Sequence, residues 1–418
     1  MKKKLTALLL AGALLAGLCG FPVLAAGETG QDAAPSQPPA EAAGETQPVR
    51  ESDPAGVLSF EDLEARLREN NLDLLVLEEN IAVIEALDYD ELREDMIENL
   101  NQLADMEWLL GSVGQSYAAA SVKSNYTALK ESFDDLRQGK LQSDNADLVR
   151  QLRNAQDQIV MVAQSLYTQY LSMQRSDQSL DRSLAALDRN IRVAELSYEQ
   201  GNLSALSLQQ AKTGRAELVS GRQSLSMGME VMAMQLESLV GAELTGQLRL
   251  TDLPAVTDEE LDAMDEQADL DSAKQASYAL LSAQRTLDDA RETYQDALDK
   301  YGRNSTGYQL TQAKHTWQAA QLTHQSTVRN FEMSFRTLYR QVKDDKQVLE
   351  AAKVSLEFQR RSYAADKLKY EQGRISQNAL LDATDQVSAA EEKVESAALD
   401  LFVAYNNYRW AVDHGILN

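Results

Sequence analysis

Cysteine is almost missing from this chain: Cys19 is the only one, and it lies inside an apolar run near the N-terminus. Disulfide bonding and thiol chemistry are therefore excluded beyond that run. Histidine is nearly as scarce. His315, His324 and His414 are the whole supply, and the first two stand nine residues apart. That spacing puts them on different sides of a helix, so no metal constellation is offered. No phosphate-cradling glycine loop, dinucleotide fingerprint or nucleophile elbow occurs. The carboxylates are many but scattered, which leaves no acid–base pair to nominate. No catalytic residue, cofactor or metal site is expected, and the chain does not read as an enzyme.

Proline is absent where it matters. Six of seven prolines fall at or before Pro54, and the seventh is Pro254. Proline breaks a helix interior, so 55–253 and 255–418 are both open to long uninterrupted helices. Aromatics are only 6% of the chain, and β-branched runs are scarce. Ala, Leu, Gln, Glu, Lys and Arg dominate, the residues that lose least on entering a helix. The fold class expected is all-α. Basic residues are also outnumbered, 40 against 65 acidic, for a formal net charge of −25. Nucleic acid is excluded as a partner, because phosphate binding needs a basic surface. The excess acid reads as solvated helix faces and solubility. No segment after the N-terminal run has enough consecutive apolar residues to span a membrane as a helix.

Residues 1–26 read as a signal peptide for export through the Sec pathway. Lys2, Lys3 and Lys4 form the positive start, Leu5 to Leu18 the apolar core, and Val23-Leu24-Ala25-Ala26 the small-residue cleavage site. Cleavage there takes the net charge from −25 to −28, since three lysines leave with no acid. A lipid-anchored start would need a small residue before Cys19, where Leu18 stands. Residues 27–56 are rich in Pro, Gly, Ala, Glu and Gln, the composition of a disordered leader. Order is expected from Leu58-Ser59-Phe60-Glu61, with Ser59 as N-cap and Asp62 in the capping-box position.

An internal repeat follows. Tyr198-Glu199-Gln200-Gly201 recurs as Tyr370-Glu371-Gln372-Gly373, an offset of 172 residues. At the same offset Leu196 matches Leu368, Leu203 matches Ile375, Ser204 matches Ser376, Leu208 matches Leu380 and Ala211 matches Ala383. Each copy reads as helix–turn–helix, the glycine ending one helix in a left-handed conformation and the serine capping the next. Heptads flank both turns. Ala383, Val387, Ala390, Val394, Ala397 and Leu401 form one seam; Leu349, Leu356, Tyr363 and Tyr370 form another, with Ala352 beside it. Ala211, Leu218, Leu225 and Met232 repeat the spacing in the first half. Seven-residue repeats imply left-handed supercoiling against partner helices. A second line on the same helix, Val348, Ala351, Phe358 and Ala365, suggests neighbours on both sides, as in a helical cylinder. A helix of about 55 residues running up to Tyr198 would be roughly 80 Å long. The architecture predicted is two tandem repeats, 57–256 and 257–418, each a long antiparallel coiled-coil α-hairpin.

With these residues in view, the chain resembles the TolC-type outer-membrane efflux protein family. Leu58-Ser59-Phe60-Glu61-Asp62-Leu63 followed by Glu69-Asn70-Asn71-Leu72 is similar to the family's opening helix. Tyr-x-x-Gly-x-[Leu/Ile]-Ser appears twice, where the family has its periplasmic hairpin tips. Leu381-Asp382-Ala383 follows the second tip, and Ala404-Tyr405-Asn406-Asn407-Tyr408 through Gly415-Ile416-Leu417 looks like the final helix and closing glycine.

The resemblance implies a trimeric helical barrel that docks a periplasmic adaptor (membrane fusion) protein joined to an inner-membrane pump, without a cofactor. It implies an envelope location in the outer membrane, or an extracytoplasmic one if the barrel is lacking. Tyr198, Gly201, Leu203, Ser204, Tyr370, Gly373, Ile375 and Ser376 match the adaptor-binding tips. Asp382 matches an aspartate that, three-fold repeated, narrows the tunnel entrance; Gln210 stands at the equivalent place in the first half, and Ala379 where another acid is sometimes found.

One departure is expected. The family's membrane strands are not evident: the corresponding segments are Tyr301 to Tyr308, a loop too short for two strands, and Asp88 to Lys140, mostly helical in character. Trp108 to Gly114 is the only strand-like piece there. Trp108, Trp317 and Trp410 read as core or interface residues. The alternative to a conducting channel is therefore a non-conducting coiled-coil envelope scaffold or adaptor-binding spacer. A secreted adhesin or stalk would not need matched turns.

Overall fold

The structure, a computed structural model, describes Pro54, residues 56–302 and residues 307–417. The expected signal peptide, and all of the expected leader except Pro54 and Gly56, lie outside the described residues. Within them, β1 (Val57–Leu58) precedes helices α1 (Phe60–Asn70), α2 (Leu72–Glu85), α3 (Tyr89–Ser112), α4 (Ser116–Arg137), α5 (Lys140–Glu199) and α6 (Ala205–Leu239). After β2 (Arg249–Leu250) come α7 (Asp258–Asp262), α8 (Glu266–Ala276), α9 (Tyr278–Tyr301), α10 (Tyr308–Glu371) and α11 (Gln377–His414). β1 and β2 pair in parallel, Val57 opposite Arg249 and Leu58 opposite Leu250. The fold is all-α, built on two long hairpins, α5–α6 and α10–α11.

The 60 residues of α5 and the 64 of α10 contain neither proline nor glycine. At 1.5 Å per residue these helices are about 90 and 96 Å long. Ser59 caps α1 as expected: its Oγ accepts from the Asp62 N–H at 3.2 Å. The predicted seam on α11 packs inward, with Ala383, Ala390, Ala397 and Leu401 buried and Val387 and Val394 half-buried. On α10, Leu349, Ala352, Leu356 and Tyr363 are half-buried, whereas the second line leaves Val348, Ala351, Phe358 and Ala365 exposed.

The hairpins lie side by side in the lateral order α6, α5, α11, α10. Contact between the halves is antiparallel. Trp410 meets Gln164, the Arg175 guanidinium donates to the Glu395 carbonyl, Arg182 pairs with Glu392 and Arg189 pairs with Asp385. Rising numbers on α5 meet falling numbers on α11, so both turns lie at the same end of the molecule.

Away from the turns lie two apolar cores, near the middles of α5 and α10 and toward the ends of α6 and α11. In the first, Leu58, Leu63, Leu67, Tyr167 and Leu236 are wholly buried. The Tyr167 hydroxyl lies 3.0 Å from the Leu58 carbonyl and 2.7 Å from that of Thr251, tying the small sheet to α5. In the second, Leu270, Ala273, Phe335, Val342 and Ala411 are buried at 1% exposure or less. Trp410 and Ile416 join the first core while Leu401, Ala404 and Tyr408 join the second, so the end of α11 stitches the halves together. Each large apolar side chain so buried contributes roughly 1.5–3 kcal/mol.

The segment Asp88 to Lys140 is a helical hairpin, α3–α4. Trp108 to Gly114, expected as strand-like, is not a strand: Trp108 to Ser112 close α3, Val113 is its C-cap, and Gly114 makes the turn at φ 78°. A strand there would leave backbone groups without partners, whereas a helix satisfies its own. The flanking Met, Leu and Glu residues tip the balance the same way. In the second half, Tyr301 is the last residue of α9 and Tyr308 the first of α10. Gly302 (φ 78°) ends the incoming helix and Gly307 caps the outgoing one, while residues 303–306 lie outside the described residues. Trp410 is buried and Trp317 stacks on Tyr294 with ring centroids 5.4 Å apart, but Trp108, also expected in a core or interface, is 75% exposed.

Candidate functional site

The two turns that share a sequence also share a hydrogen-bond scheme. At the end of α5 the Gly201 N–H donates to the Tyr198 carbonyl at 2.9 Å and the Asn202 N–H to that of Ser197 at 2.8 Å. At the end of α10 the Gly373 N–H donates to Tyr370 at 2.8 Å and the Arg374 N–H to Lys369 at 2.8 Å. This is the six-to-one and five-to-two pattern that closes a helix on a left-handed residue. Gly201 and Gly373 supply it, with φ of 76° and 70°. A Cβ at either would meet nothing within 4 Å; what requires glycine here is the backbone angle and not crowding.

The outgoing helices are capped alike. Ser204 Oγ accepts from the Ser207 N–H at 3.1 Å, and Ser376 Oγ from the Ala379 N–H at 3.2 Å. Leu203 and Ile375 are half-buried beneath the turns, whereas Gly201, Ser204, Gly373 and Ser376 are exposed. Tyr198 and Tyr370 are 45% and 39% exposed on the final helical turns. Each tip therefore offers rigid backbone, a hydroxyl and an aromatic edge. They differ at the residue after the glycine, where Asn202 is neutral and Arg374 charged.

Asp382 is exposed on α11, one position before the buried seam residue Ala383. Its neighbour Asp385 turns to the other half and pairs with Arg189. Gln210, the first-half counterpart of Asp382, is likewise exposed on α6.

Holding the tips beside one another is a ladder that residue-type reasoning missed. Arg175, Arg182 and Arg189 recur at seven-residue steps on α5, and all three reach α11. The spacing was visible in the sequence; the partners were not, because pairing across two repeats carries no local signature. The hairpins are also laced within themselves. Arg222 bridges Asp177 at 2.9 Å and Asp181 at 2.5 Å, Arg215 bridges Asp188 at 2.5 Å, and Lys212 reaches Glu195 at 2.7 Å. Hydrogen bonding to Arg215 holds the Asp188 carboxyl below the usual carboxylate range. Among the described residues, no group of three or more His, Cys, Asp or Glu side chains could hold a metal ion.

No protein-family model and no curated protein sequence matches this chain. Solved structures do. A membrane protein from Pseudomonas aeruginosa is 12% identical, over 87% of this chain and 92% of that one, with a TM-score of 0.51. The outer-membrane channel OprN is 14% identical, over 85% of this chain and 90% of its own, with a TM-score of 0.51. The chain has a TolC-type fold. At such identities the likeness is one of fold.

Proposed function

We propose that the chain is a TolC-like channel component of a multipartite export system. In this reading the repeats 57–256 and 257–418 each supply one hairpin, and three copies close a helical tunnel. The tips at Tyr198, Gly201, Leu203 and Ser204 and at Tyr370, Gly373, Ile375 and Ser376 dock an extracytoplasmic adaptor, which joins the tunnel to an inner-membrane pump. Asp382, three-fold repeated, narrows the entrance. The chain is exported through the Sec pathway, resides in the envelope and catalyses no reaction.

The observation that carries this reading is the matched pair of turns, alike in hydrogen bonding and held at one end of rods about 90 Å long. One such turn would end any hairpin. Two of one design, kept in register by the arginine ladder, give a repeated surface suited to a repeated partner. The lateral order supports several copies, because it leaves α6 and α10 at open edges. Met227 and Val231 on α6, and Val348, Val354 and Phe358 on α10, are more than half exposed in the single chain. Apolar lines of this length are covered by partners in stable proteins.

A second reading, a non-conducting envelope scaffold, is favoured by one feature. The α3–α4 hairpin is helical where the resemblance calls for membrane strands. Measuring the mass of the purified assembly, with conductance in planar bilayers alongside, separates the two. A conducting trimer whose ion selectivity shifts in Asp382→Arg supports the channel. A trimer that never conducts supports the scaffold, and a chain that stays monomeric removes both.

A further inference from the structure

We propose that the apex of the α3–α4 hairpin, Met106 to Tyr117, seats the molecule on the surface of a lipid bilayer by shallow insertion. This does not rest on the channel reading, since a scaffold would use the same contact. The hairpin is rooted at the end of α5 opposite the paired turns. There the Asn145 amide donates to the Tyr89 hydroxyl at 3.0 Å, and Met96 and Leu136 are buried at the base. From Ile97 to Asp135 no residue is buried. Beyond that base the two helices, of 24 and 22 residues, are joined only by a half-buried seam that includes Leu103, Leu110, Val122 and Tyr126.

The apex has a composition unlike the rest of the chain. Residues 108–122 carry no charge, in a protein where a quarter of the residues are charged. Met106 is 51% exposed, Trp108 75%, Leu109 55%, Val113 61% and Tyr117 94%. Trp and Tyr are the side chains whose amphipathic rings favour the membrane–water interface. Their placement argues against a second copy as the occupant. At 100° per residue Met106 and Trp108 lie on opposite sides of α3, so a protein lying along one face would leave the other in water. Immersion of the tip, end first, covers all sides.

Charge fixes the depth and the kind of membrane. Below the apex α3 carries Asp90, Glu91, Glu94, Asp95, Glu98 and Asp105 against Arg93 alone, while α4 balances Lys123, Lys130 and Arg137 against Glu131, Asp134 and Asp135; Glu107, within the apex, pairs with Lys123 at 3.9 Å. Insertion stops where these carboxylates begin, because burying them in lipid is prohibitive. Two such shafts laid together would also repel. Among the described residues no helix is long and apolar enough to cross a membrane, which agrees with contact at one surface. An acidic shaft favours neutral lipid over anionic lipid.

The test is co-sedimentation of the full chain with vesicles of phosphatidylcholine, alone or mixed with phosphatidylserine, at low salt. Binding to the neutral vesicles is expected, weaker on the anionic ones. The double variant Trp108→Ser, Tyr117→Ser and the apex variant Val113→Lys should each weaken it about tenfold or more. Leu322→Ser, an apolar side chain 67% exposed on α10, should leave it unchanged. Circular dichroism checks that each variant is folded. The proposal is overturned if the wild type ignores both vesicles, or if the apex variants bind as it does. It is equally overturned if light scattering shows that the apex variants lose an oligomer rather than a lipid contact.

Discussion

Gly415 ends α11 so close to Ser277 that a Cβ on it would stand 2.3 Å from both the Ser277 N and Cα. The first half repeats the arrangement. Gly241, just past α6, would place a Cβ 2.8 Å from that of Asn70. Each glycine packs on the break between two helices of its own half, α8–α9 and α1–α2. Each break is capped, Ser277 Oγ accepting from the Leu280 N–H and Asn71 Oδ1 from the Leu74 N–H at 3.0 Å. The Asn71 amide also donates to the Leu239 carbonyl at 2.9 Å.

Glycine is thus needed at these junctions for two reasons, where at the tips it is needed for one. Gly201→Ala should cost about 1–2 kcal/mol, the penalty of a left-handed alanine alone. Gly415→Ala adds a collision with backbone that no rotamer can relieve, and should cost about twice as much or more. Urea unfolding of the two variants tests the difference; equal losses would mean the junction yields easily.

Gln164 joins the halves through a single oxygen. Its Oε1 accepts from Trp410 Nε1 at 2.7 Å and from Asn406 Nδ2 at 2.8 Å, and both Gln164 and Trp410 are buried. Gln164→Leu removes the acceptor and strands the buried Trp410 N–H, while the half-buried Asn406 amide can turn to water. The expected loss is about 1–3 kcal/mol for the stranded donor. Trp410→Phe in the Gln164→Leu background should recover part of it, because the indole N–H is then gone. A double-mutant cycle by thermal unfolding gives the coupling, and additive losses would show that the contact carries little.

The elements that could be read from the sequence are those set by neighbours along the chain. A glycine followed three residues later by serine makes its turn locally, and the Ala383 to Leu401 seam declares itself by spacing alone. Contacts between distant residues were hidden. Nothing around Gln164 or Arg182 says that α11 will lie against α5. Trp108 shows the same limit: its residue type allowed either a core or an interface, and only the structure shows that no core of this chain covers it. The tip positions were legible as turns, while their shared placement at one end required the antiparallel contact of α5 with α11.

Glu237 is another contact without a signature. Its carboxylate, 2% exposed, accepts from Thr245 Oγ1 at 2.8 Å and from the N–H groups of Gly246, Gln247 and Leu248 at 2.7, 3.1 and 3.2 Å. Burial pushes its pKa up, but the hydrogen bonds from Gly246, Thr245 and Gln247 outweigh it and hold the pKa below the usual value. A depressed folded-state pKa means stability that is present above the unfolded value and lost as pH falls through the folded one. Glu237→Gln should therefore be less stable than wild type at neutral pH, by roughly 1–3 kcal/mol. The gap should narrow on acidification below about pH 4. Melting curves from neutral to acid pH check this, and a gap that stays constant would remove Glu237 from the acid response.

His414 gives the opposite slope. Its Nδ1 lies 2.9 Å from Asp157 Oδ2 on α5, its ring is 4.4 Å from that of Trp410, and Arg68 of α1 stands 3.6 Å from the same aspartate. The bond to Asp157 raises the imidazole pKa against the lowering effect of burial, with smaller contributions from Asp413 and Glu64. A raised folded-state pKa means stability that is complete below the unfolded value and lost as pH rises through the folded one. The end of α11 should therefore hold to α5 more firmly at about pH 6 than at about pH 8. Asp157→Asn removes the charge that raises the pKa, and His414→Gln removes the titration. Both variants should lose the part of the wild-type drop in melting temperature between those pH values that the pair supplies. If the variants and wild type show the same drop, the pH dependence belongs to other groups, and the contact fastens α11 without sensing pH.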